Sequence, residues 1–272
     1  MDPVRRAVHE ALNQAYRVAQ GLGVTQRSRV VGRGASGDLS TAFDLAVEEA
    51  VIRTVRTLLP EALIVAEESG VSGSRDAKKL VLLDPVDGST NASLNLPFYC
   101  TSIAVVDGRF FEGMISAGIV DLVRGELFYA ERGKGVSVDG EPVSLGPSGK
   151  RLRDSCVSIN LRLQDLRYGS AMLNLLRTIR YPRFLGSAAL ETAYVALGRV
   201  DAFVAPAPRL RSYDCLPSLL IVQEAGGYFQ TLNRDLKDAD LSEPLRLSYV
   251  AARSRPLVNW LAGLVEKTHS LK

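Results

Sequence analysis

Two aspartates near the end of an apolar run are the first chemistry the chain offers. In LVLLDPVDGSTN, residues 80–91, a buried strand would deliver Asp84 to its C-terminal end. Pro85 has no N–H and is expected to stop the ladder there. Asp87 follows one tight turn later, so two carboxylates can converge on one point. Gly88 allows backbone angles that other residues avoid. Ser89 and Thr90 add hydroxyls and amide N–H groups of the kind that bind phosphate oxygens. Acids that hold a cation would then lie beside amides that hold an anion, the arrangement that metal-assisted phosphate chemistry needs. An Asp-rich turn capping a helix would use the same residues.

Three further segments carry acids to similar places. LIVAEESG, residues 63–70, ends a short apolar strand in Glu67 and Glu68. Adjacent like charges repel, so burying both calls for a cation or a basic partner; exposed loop acids are the alternative. RSYDCLPSLLIVQEAGG, residues 211–227, places Asp214 near the start of an apolar helix, where it can cap the helix or reach a metal. SGDLSTAFD, residues 36–44, carries Asp38 in a loop and Asp44 at a helix start, with the same two options.

The rest of the composition narrows the chemistry. The chain has 272 residues, 46% hydrophobic and 23% charged, ordinary values for a globular enzyme of one large or two medium domains. Lys plus Arg number 33 against 30 for Asp plus Glu, and a net of +3 argues against nucleic acid or membrane as a main partner. Three scattered cysteines, without CxxC, suggest neither a disulfide framework nor a zinc site. No secretory h-region and no run of 18 apolar residues is present, so a cytoplasmic protein is expected. His9 and His269 are the only histidines, both near a terminus and read as surface or packing residues. Hydrolysis here must run mostly without histidine, which points to carboxylates with hard metal ions.

The elements that must position these acids follow from periodicity. Helical spacing predicts helices over 3–21 and 41–59, with a flexible loop over 31–40 between them. Strands are expected at 63–66 and 80–83, followed by a meander through 101–107, 113–120 and 125–130 and a pair of short strands within 132–143. Gly146, Pro147, Ser148 and Gly149 mark the best boundary, dividing the chain into 1–147 and 148–272. After it come a strand (155–160), helices (169–180 and 187–198), a strand between them near 182–185, and a strand at 201–205. A helix (213–225), strands near 228–231 and 247–252, and a last helix (254–268) complete the pattern. Strand–helix alternation mixed with hairpins predicts an α+β fold.

AEES, then DPVDGSTN, then SYDCLPSLLIVQEAGG, in that order and spacing, resemble the inositol monophosphatase family, the lithium-sensitive superfamily that includes fructose-1,6-bisphosphatases. GSAALETAYVALGRVDAF, residues 186–203, also matches, so the likeness spans about residues 30–252. The short form and the loop VVGRGASGDLSTAFD resemble archaeal members, which often combine inositol-1-phosphatase with fructose-1,6-bisphosphatase activity. The resemblance implies a layered αβαβα sandwich and a homodimer. It implies two or three Mg²⁺ ions, with Mn²⁺ as a possible substitute. Glu67, Asp84 and the Val86 carbonyl would hold one ion, and Asp84, Asp87 and Asp214 a second. Glu67 and Asp38 would help a third. Ser89, where the family usually has threonine, would pair with Asp44 to position the attacking water, and the amides of Gly88, Ser89 and Thr90 would cradle the phosphate. Tyr213 stands where the family commonly has tryptophan.

The reaction so implied is hydrolysis of a small sugar or polyol phosphate by metal-activated water attacking in line. Gly186, Ser187 and Ala188 match the region that lines the polyol pocket in relatives. Glu191 is either a sugar-hydroxyl acceptor or a helix-surface acid. Arg183, Arg209 and Arg211 are candidates for a second phosphate, with ordinary surface roles as the alternative. The loop 31–40 could act as a lid carrying Asp38. The nearest rival is a 3′-phosphoadenosine 5′-phosphate phosphatase. A non-catalytic protein on the same fold would be expected to lack a metal acid, yet Glu67, Asp84, Asp87 and Asp214 are all present. No GxxxxGK[ST] occurs, which disfavours a P-loop nucleotidase.

Overall fold

The computed structural model describes residues 2–146, 152–161 and 169–266, with only the backbone of 170 and 171. Pro147, Ser148, Gly149 and His269, named above, lie outside those residues. The first layer is helical: α1 (Pro3–Gly21) and α3 (Ala42–Leu58), with the short α2 (Val24–Ser28) between them in the chain. Asp2 caps α1 by accepting from the Val4 N–H, and Pro3 sits in the first turn, where a missing N–H costs nothing. Val4, Val8, Leu12 and Ala15 of α1 and Phe43, Val47, Val51 and Val55 of α3 recur every three or four residues. They pack on one face of an eight-stranded sheet.

That sheet is ordered β10-β9-β8-β7-β6-β5-β3-β4. Its strands are β3 (Leu63–Ala66), β4 (Gly70–Ser72), β5 (Lys79–Asp87), β6 (Cys100–Asp107), β7 (Met114–Asp121), β8 (Leu127–Glu131), β9 (Gly135–Val138) and β10 (Glu141–Val143). Leu63, Val65, Leu80 and Leu82 face one way, and Ile64, Ala66, Val81 and Leu83 face α1 and α3. A strand buried on both sides needs this continuous apolar run, which explains why LIVA and LVLL show no alternation.

The second helical layer is α6 (Ala188–Ala196) and α7 (Ser212–Glu224), packed between the two sheets. Every residue of α6 is buried, and all of α7 but its last two. Pro217 lies inside α7 and cannot donate to the Tyr213 carbonyl four residues back. Ser102 of β6 donates its hydroxyl to that carbonyl at 2.9 Å, so the group is not stranded. The five-stranded sheet runs β12-β11-β13-β15-β14. Its strands are β11 (Cys156–Ile159), β12 (Tyr181–Arg183), β13 (Ala202–Arg211), β14 (Tyr228–Thr231) and β15 (Arg246–Ala252). Helices α5 (Gly169–Thr178) and α8 (Arg255–Glu266) cover its outer face through Leu175, Val258 and Leu261. Five layers result, αβαβα, as the resemblance implied.

Two local readings change. Residues 31–40 are not a plain loop: β1 (Val30–Arg33) and β2 (Leu39–Thr41) form a hairpin. Nor does Pro85 end its strand. β5 runs on to Asp87 and pairs with β6 across a register shift between Asp84 and Asp87. The bulge tolerates proline because the extra residue leaves the ladder, and the Pro85 carbonyl accepts the Thr101 hydroxyl at 2.6 Å.

Candidate active site

Strands β3 and β5 are parallel neighbours with Ala66 opposite Leu83, so the next residues of each, Glu67 and Asp84, leave the sheet side by side. The Glu67 N–H donates to the Leu83 carbonyl at 3.2 Å, which holds the two segments together where the carboxyl groups emerge. The β5 bulge turns Asp87 onto the same cavity. Gly88 follows at φ 96°, where a Cβ would crowd the Phe98 and Gly186 carbonyls, and α4 (Ser89–Ser93) begins. Asp214 arrives from the first turn of α7, where its carboxylate also accepts from the Arg211 N–H at 2.7 Å. The capping and site-lining readings of Asp214 therefore hold together.

These groups line a cavity of about 500 Å³ with Asp38, Val86, Gly88, Ser89, Thr90, Asn160, Gly186 and Arg211. A larger groove, about 580 Å³, is lined by Phe111, Phe229 and Arg132 and holds none of the converging acids. Volume does not choose the site here; the buried charge does.

Four carboxyls in one cavity disfavour ionisation. Burial raises Asp84 well above its ordinary range, and the neighbouring Glu67 adds to it. Burial and then Asp214 do the same to Glu67. Asp87 is pushed up to about 6 by burial, against the pull of the Ser187 hydroxyl and the amides of Ala189 and its neighbours. Asp214 rises to about 7, again through burial, opposed by the Arg211 backbone. Among the described residues, the cation paired with the cluster is Arg211, 3.6 Å from Glu67.

The hairpin is strapped to this cluster. Ala35 and Ser36 donate their amides to the Glu68 and Glu67 carbonyls, and Gly34 approaches so closely that a Cβ would overlap the Glu68 carboxylate. Arg211 donates to the Ser36 carbonyl and to the Asp38 carboxylate at 2.8 and 2.7 Å. From behind, Glu48 of α3 is 3% exposed and accepts from the Glu68 and Ser69 amides at 2.9 and 2.8 Å. Sequence reading missed Glu48; its one signal is the Asp44–Glu48 spacing, which puts both acids on one face of α3. Glu48→Ala strands two amides, at about 1–3 kcal/mol each, and frees the turn that carries Glu67. The expected result is a lower melting temperature together with a higher divalent-ion requirement, read by thermal unfolding and by ion titration. An unchanged ion requirement would make the clamp merely structural.

Several expected roles move. Asp44 does not meet Ser89: its Oδ2 is taken by the amide and hydroxyl of Thr41 as a helix cap, and Oδ1 is buried without a partner. A three-residue closure wins over a long-range pair because it costs less chain entropy. Glu191 is neither a surface acid nor open to a sugar. At 1% exposure it accepts from Ser158 and from the Gly186 and Ser187 amides, bracing the turn before α6, and burial raises it to about 7. Ser187 and Ala188 are buried, and the Ser187 hydroxyl and the Ala189 amide hold Asp87 at 2.7 and 2.6 Å. Of that turn, Gly186 reaches the cavity. Arg183 is exposed on the edge strand β12, outside the cavity. Asp38 is at the rim, its side chain 58% exposed and paired with Arg211. Asn91, last residue of the DPVDGSTN motif, also went unassigned; it donates to the Phe98 and Leu185 carbonyls, both at 2.7 Å, and so ties α4 to the Gly186 turn.

The donor set suits a hard divalent cation. Glu67, Asp84, Asp87, Asp214 and the Val86 carbonyl offer only oxygen, and buried acids short of a counter-charge are what such an ion would relieve. No group of three or more acidic, histidine or cysteine side chains among the described residues stands in ready-made metal geometry. The carboxylates are turned onto protein donors instead: Asp84 onto the Val86 amide, Asp87 onto Ser187 and Ala189, and Asp214 onto Arg211.

The family model described as the inositol monophosphatase family matches residues 1–270. The chain is 33% identical over 232 residues to Nus factor SuhB of Escherichia coli (strain K12), covering 81% of this chain and 84% of that one. It is 30% identical over 256 residues, 90% of each chain, to the fructose-1,6-bisphosphatase/inositol-1-monophosphatase of Methanothermobacter thermautotrophicus. The solved structure of a Thermotoga maritima IMPase superposes with a TM-score of 0.79 at 25% identity, covering 99% of both chains.

Proposed function

The chain belongs to the inositol monophosphatase family, and from that premise we propose that it hydrolyses small sugar or polyol phosphate monoesters in a Mg²⁺-dependent reaction. Inositol 1-phosphate and fructose 1,6-bisphosphate are the substrates we assign. One observation carries the reading: Glu67, Asp84, Asp87 and Asp214 line a single cavity with the Gly88–Thr90 turn.

The family is metal-dependent, and the all-oxygen donor set is the reason to assign magnesium, with manganese as a substitute. Glu67, Asp84 and the Val86 carbonyl would hold one ion and Asp84, Asp87 and Asp214 another, with Asp38 contributing at the rim. Bound there, the cations supply Lewis-acid polarisation of the ester and a more acidic water. The chain's own residues do the rest. The first amides of α4 have no intrahelical partner and would hold the phosphate oxygens beside the Ser89 and Thr90 hydroxyls. Glu67, beside Asp84 in the cavity, is placed to take a proton from water at its carboxylate oxygen. Ser187 and the Ala189 amide keep Asp87 aimed at the cavity. The Thr41 cap occupies Oδ2 of Asp44 and leaves Oδ1 unpartnered, with no bond to Ser89 among the described residues.

The proposal includes an N-terminal unit, 1–147, carrying the phosphate motif and most of the acids, and a C-terminal unit, 148–272, completing the site with Asp214. It also includes a homodimer in the cytoplasm; among the described residues no helix is long and apolar enough to cross a membrane. The decisive experiment is phosphate release from inositol 1-phosphate, fructose 1,6-bisphosphate and 3′-phosphoadenosine 5′-phosphate, with and without Mg²⁺. Turnover of either of the first two, abolished by chelator, is expected. Turnover of the adenosine compound alone, or indifference to chelator, would overturn the assignment.

A further inference from the structure

The groove of about 580 Å³ shares no lining residue with the cavity that holds the acids. One of its walls is Phe229, Gln230 and Thr231 of β14, continued by Leu232. β14 is the last strand of its sheet and pairs on one side only, with β15. The Leu232 N–H donates to the Ser248 carbonyl at 2.8 Å, which sets the phase of that ladder. Along an antiparallel strand, residues that bond across alternate with residues whose backbone groups point away. With Leu232 bonded to its neighbour, Phe229 and Thr231 turn their N–H and C=O groups to the free side. Two donors and two acceptors thus face the groove, with no hydrogen-bond partner among the described residues.

The opposite wall belongs to the eight-stranded sheet. It carries Phe111 and Glu112, from the turn between β6 and β7, and Arg132, from the turn between β8 and β9. The Phe111 and Phe229 rings meet edge to face, 5.5 Å apart at 81°. The Arg132 guanidinium lies 5.3 Å over the Phe111 ring and donates to the Met114 and Phe111 carbonyls at 2.7 and 2.8 Å. This apolar bed is therefore fixed before anything docks on it. Beyond the end of β14, Arg234 and Lys237 are exposed, and their side chains pair with no acid among the described residues. Asp235, between them, is folded back to accept the Lys237 N–H at 3.0 Å. Three cations against Asp235 and Glu112 leave the lining net positive.

An unpaired strand edge is a template for another chain. Main-chain bonds to it give affinity, and contacts to alternate side chains give specificity. We propose that the free edge of β14, with the groove beside it, docks an acidic partner segment in extended conformation, which adds to the five-stranded sheet as a sixth strand. Its backbone bonds to Phe229 and Thr231, its apolar side chains lie against Phe111 and Phe229, and its acids meet Arg234 and Lys237. Docking here is a function separate from catalysis and does not depend on the phosphatase reading.

The test uses the full chain and fluorescence anisotropy with a labelled peptide, Glu-Phe-Glu-Val-Glu-Phe-Glu. Two controls accompany it: the same peptide with every Glu replaced by Lys, and the acidic peptide N-methylated at alternate residues. The acidic peptide is expected to bind at least tenfold more tightly than either control. Thr231→Pro removes an N–H that points away from β15, a place where an edge strand tolerates proline. It is expected to weaken binding about tenfold, roughly the worth of one main-chain hydrogen bond. The double variant Arg234→Glu, Lys237→Glu, at exposed positions, is expected to weaken it at least as much, and melting temperatures check that both variants are folded. No binding of the acidic peptide at millimolar concentration, equal binding of the lysine peptide, or affinity unmoved by the double variant overturns the proposal. Equal binding of the N-methylated peptide also overturns it, because the groove would then hold an aromatic acid without forming a strand. So does a homodimer that Thr231→Pro dissociates, because a second copy of the chain would then occupy the edge.

Discussion

Asp84→Asn lowers the turnover of a small phosphate monoester by about three orders of magnitude while leaving the protein folded. The chemical half follows from position. Asp84 shares the cavity with Glu67, Asp87 and Asp214, and its burial and those neighbours oppose its charge. Replacing it with a neutral amide removes one of the negative charges that would draw divalent cations, and with it several kcal/mol of polarisation at the ester. Four kcal/mol, about the middle of that scale, is roughly 10³ in rate. The structural half follows from the same burial. Asparagine keeps an oxygen for the Val86 amide, 3.0 Å away, and no longer has to bury a charge. Its melting temperature in chelator should equal or exceed that of the wild type. Wild-type rates from a folded Asp84→Asn protein would remove Asp84 from the site, and a variant that fails to fold would contradict the account of its burial.

The second large effect is on stability, and its direction is set by the raised acids. Asp87 at about 6 and Asp214 at about 7 both lie above the ordinary 3.8, and Asp84 and Glu67 move the same way. A carboxyl whose folded value is raised favours the folded state fully below the unfolded value, and that contribution disappears as pH climbs through the folded one. In chelator the protein should therefore lose stability from about pH 4 to above pH 7. Moving one buried carboxyl from 3.8 to about 7 is worth on the order of 4 kcal/mol. Mg²⁺ neutralises the same charges, so it should raise the melting temperature at pH 8 and do much less at pH 5. Thermal unfolding at both pH values, in chelator and in Mg²⁺, reads all four numbers. A melting temperature that rises with pH in chelator, or ignores Mg²⁺ at pH 8, would mean that these acids are neither buried against their charge nor disposed to hold an ion.

The two effects depend on different features of one cluster. The rate effect requires that a cation and the ester meet at Asp84. The stability effect requires only that the acids be buried together. A protein showing the second without the first would keep the carboxylate cluster and lose the proposed chemistry.

What could be read along the chain is what the chain determines locally. Apolar spacing marked α1, α3, β3 and β5, because a helix or strand buried on a known face must repeat its apolar residues with that element's period. Acids directly after such strands had to emerge at strand ends, and so Glu67 and Asp84 were legible as a site. The five-layer order was legible only through resemblance. The hairpin over 30–41 was missed because its strands are short and largely exposed, and the β5 extension because a bulge is not visible in propensity.

The tertiary structure alone decided the rest. Register put Glu67 beside Asp84, chain crossing brought Asp214 to Asp87, and a cross-strand pairing set Arg211 against Arg246. Asp44 and Glu191 show the competition directly: each had a long-range or exposed role available, and each was captured by nearby backbone donors and a hydroxyl instead. Residue type states which partners a carboxylate could satisfy. Which one it does satisfy depends on distances between segments far apart in the chain, and no local pattern carries them.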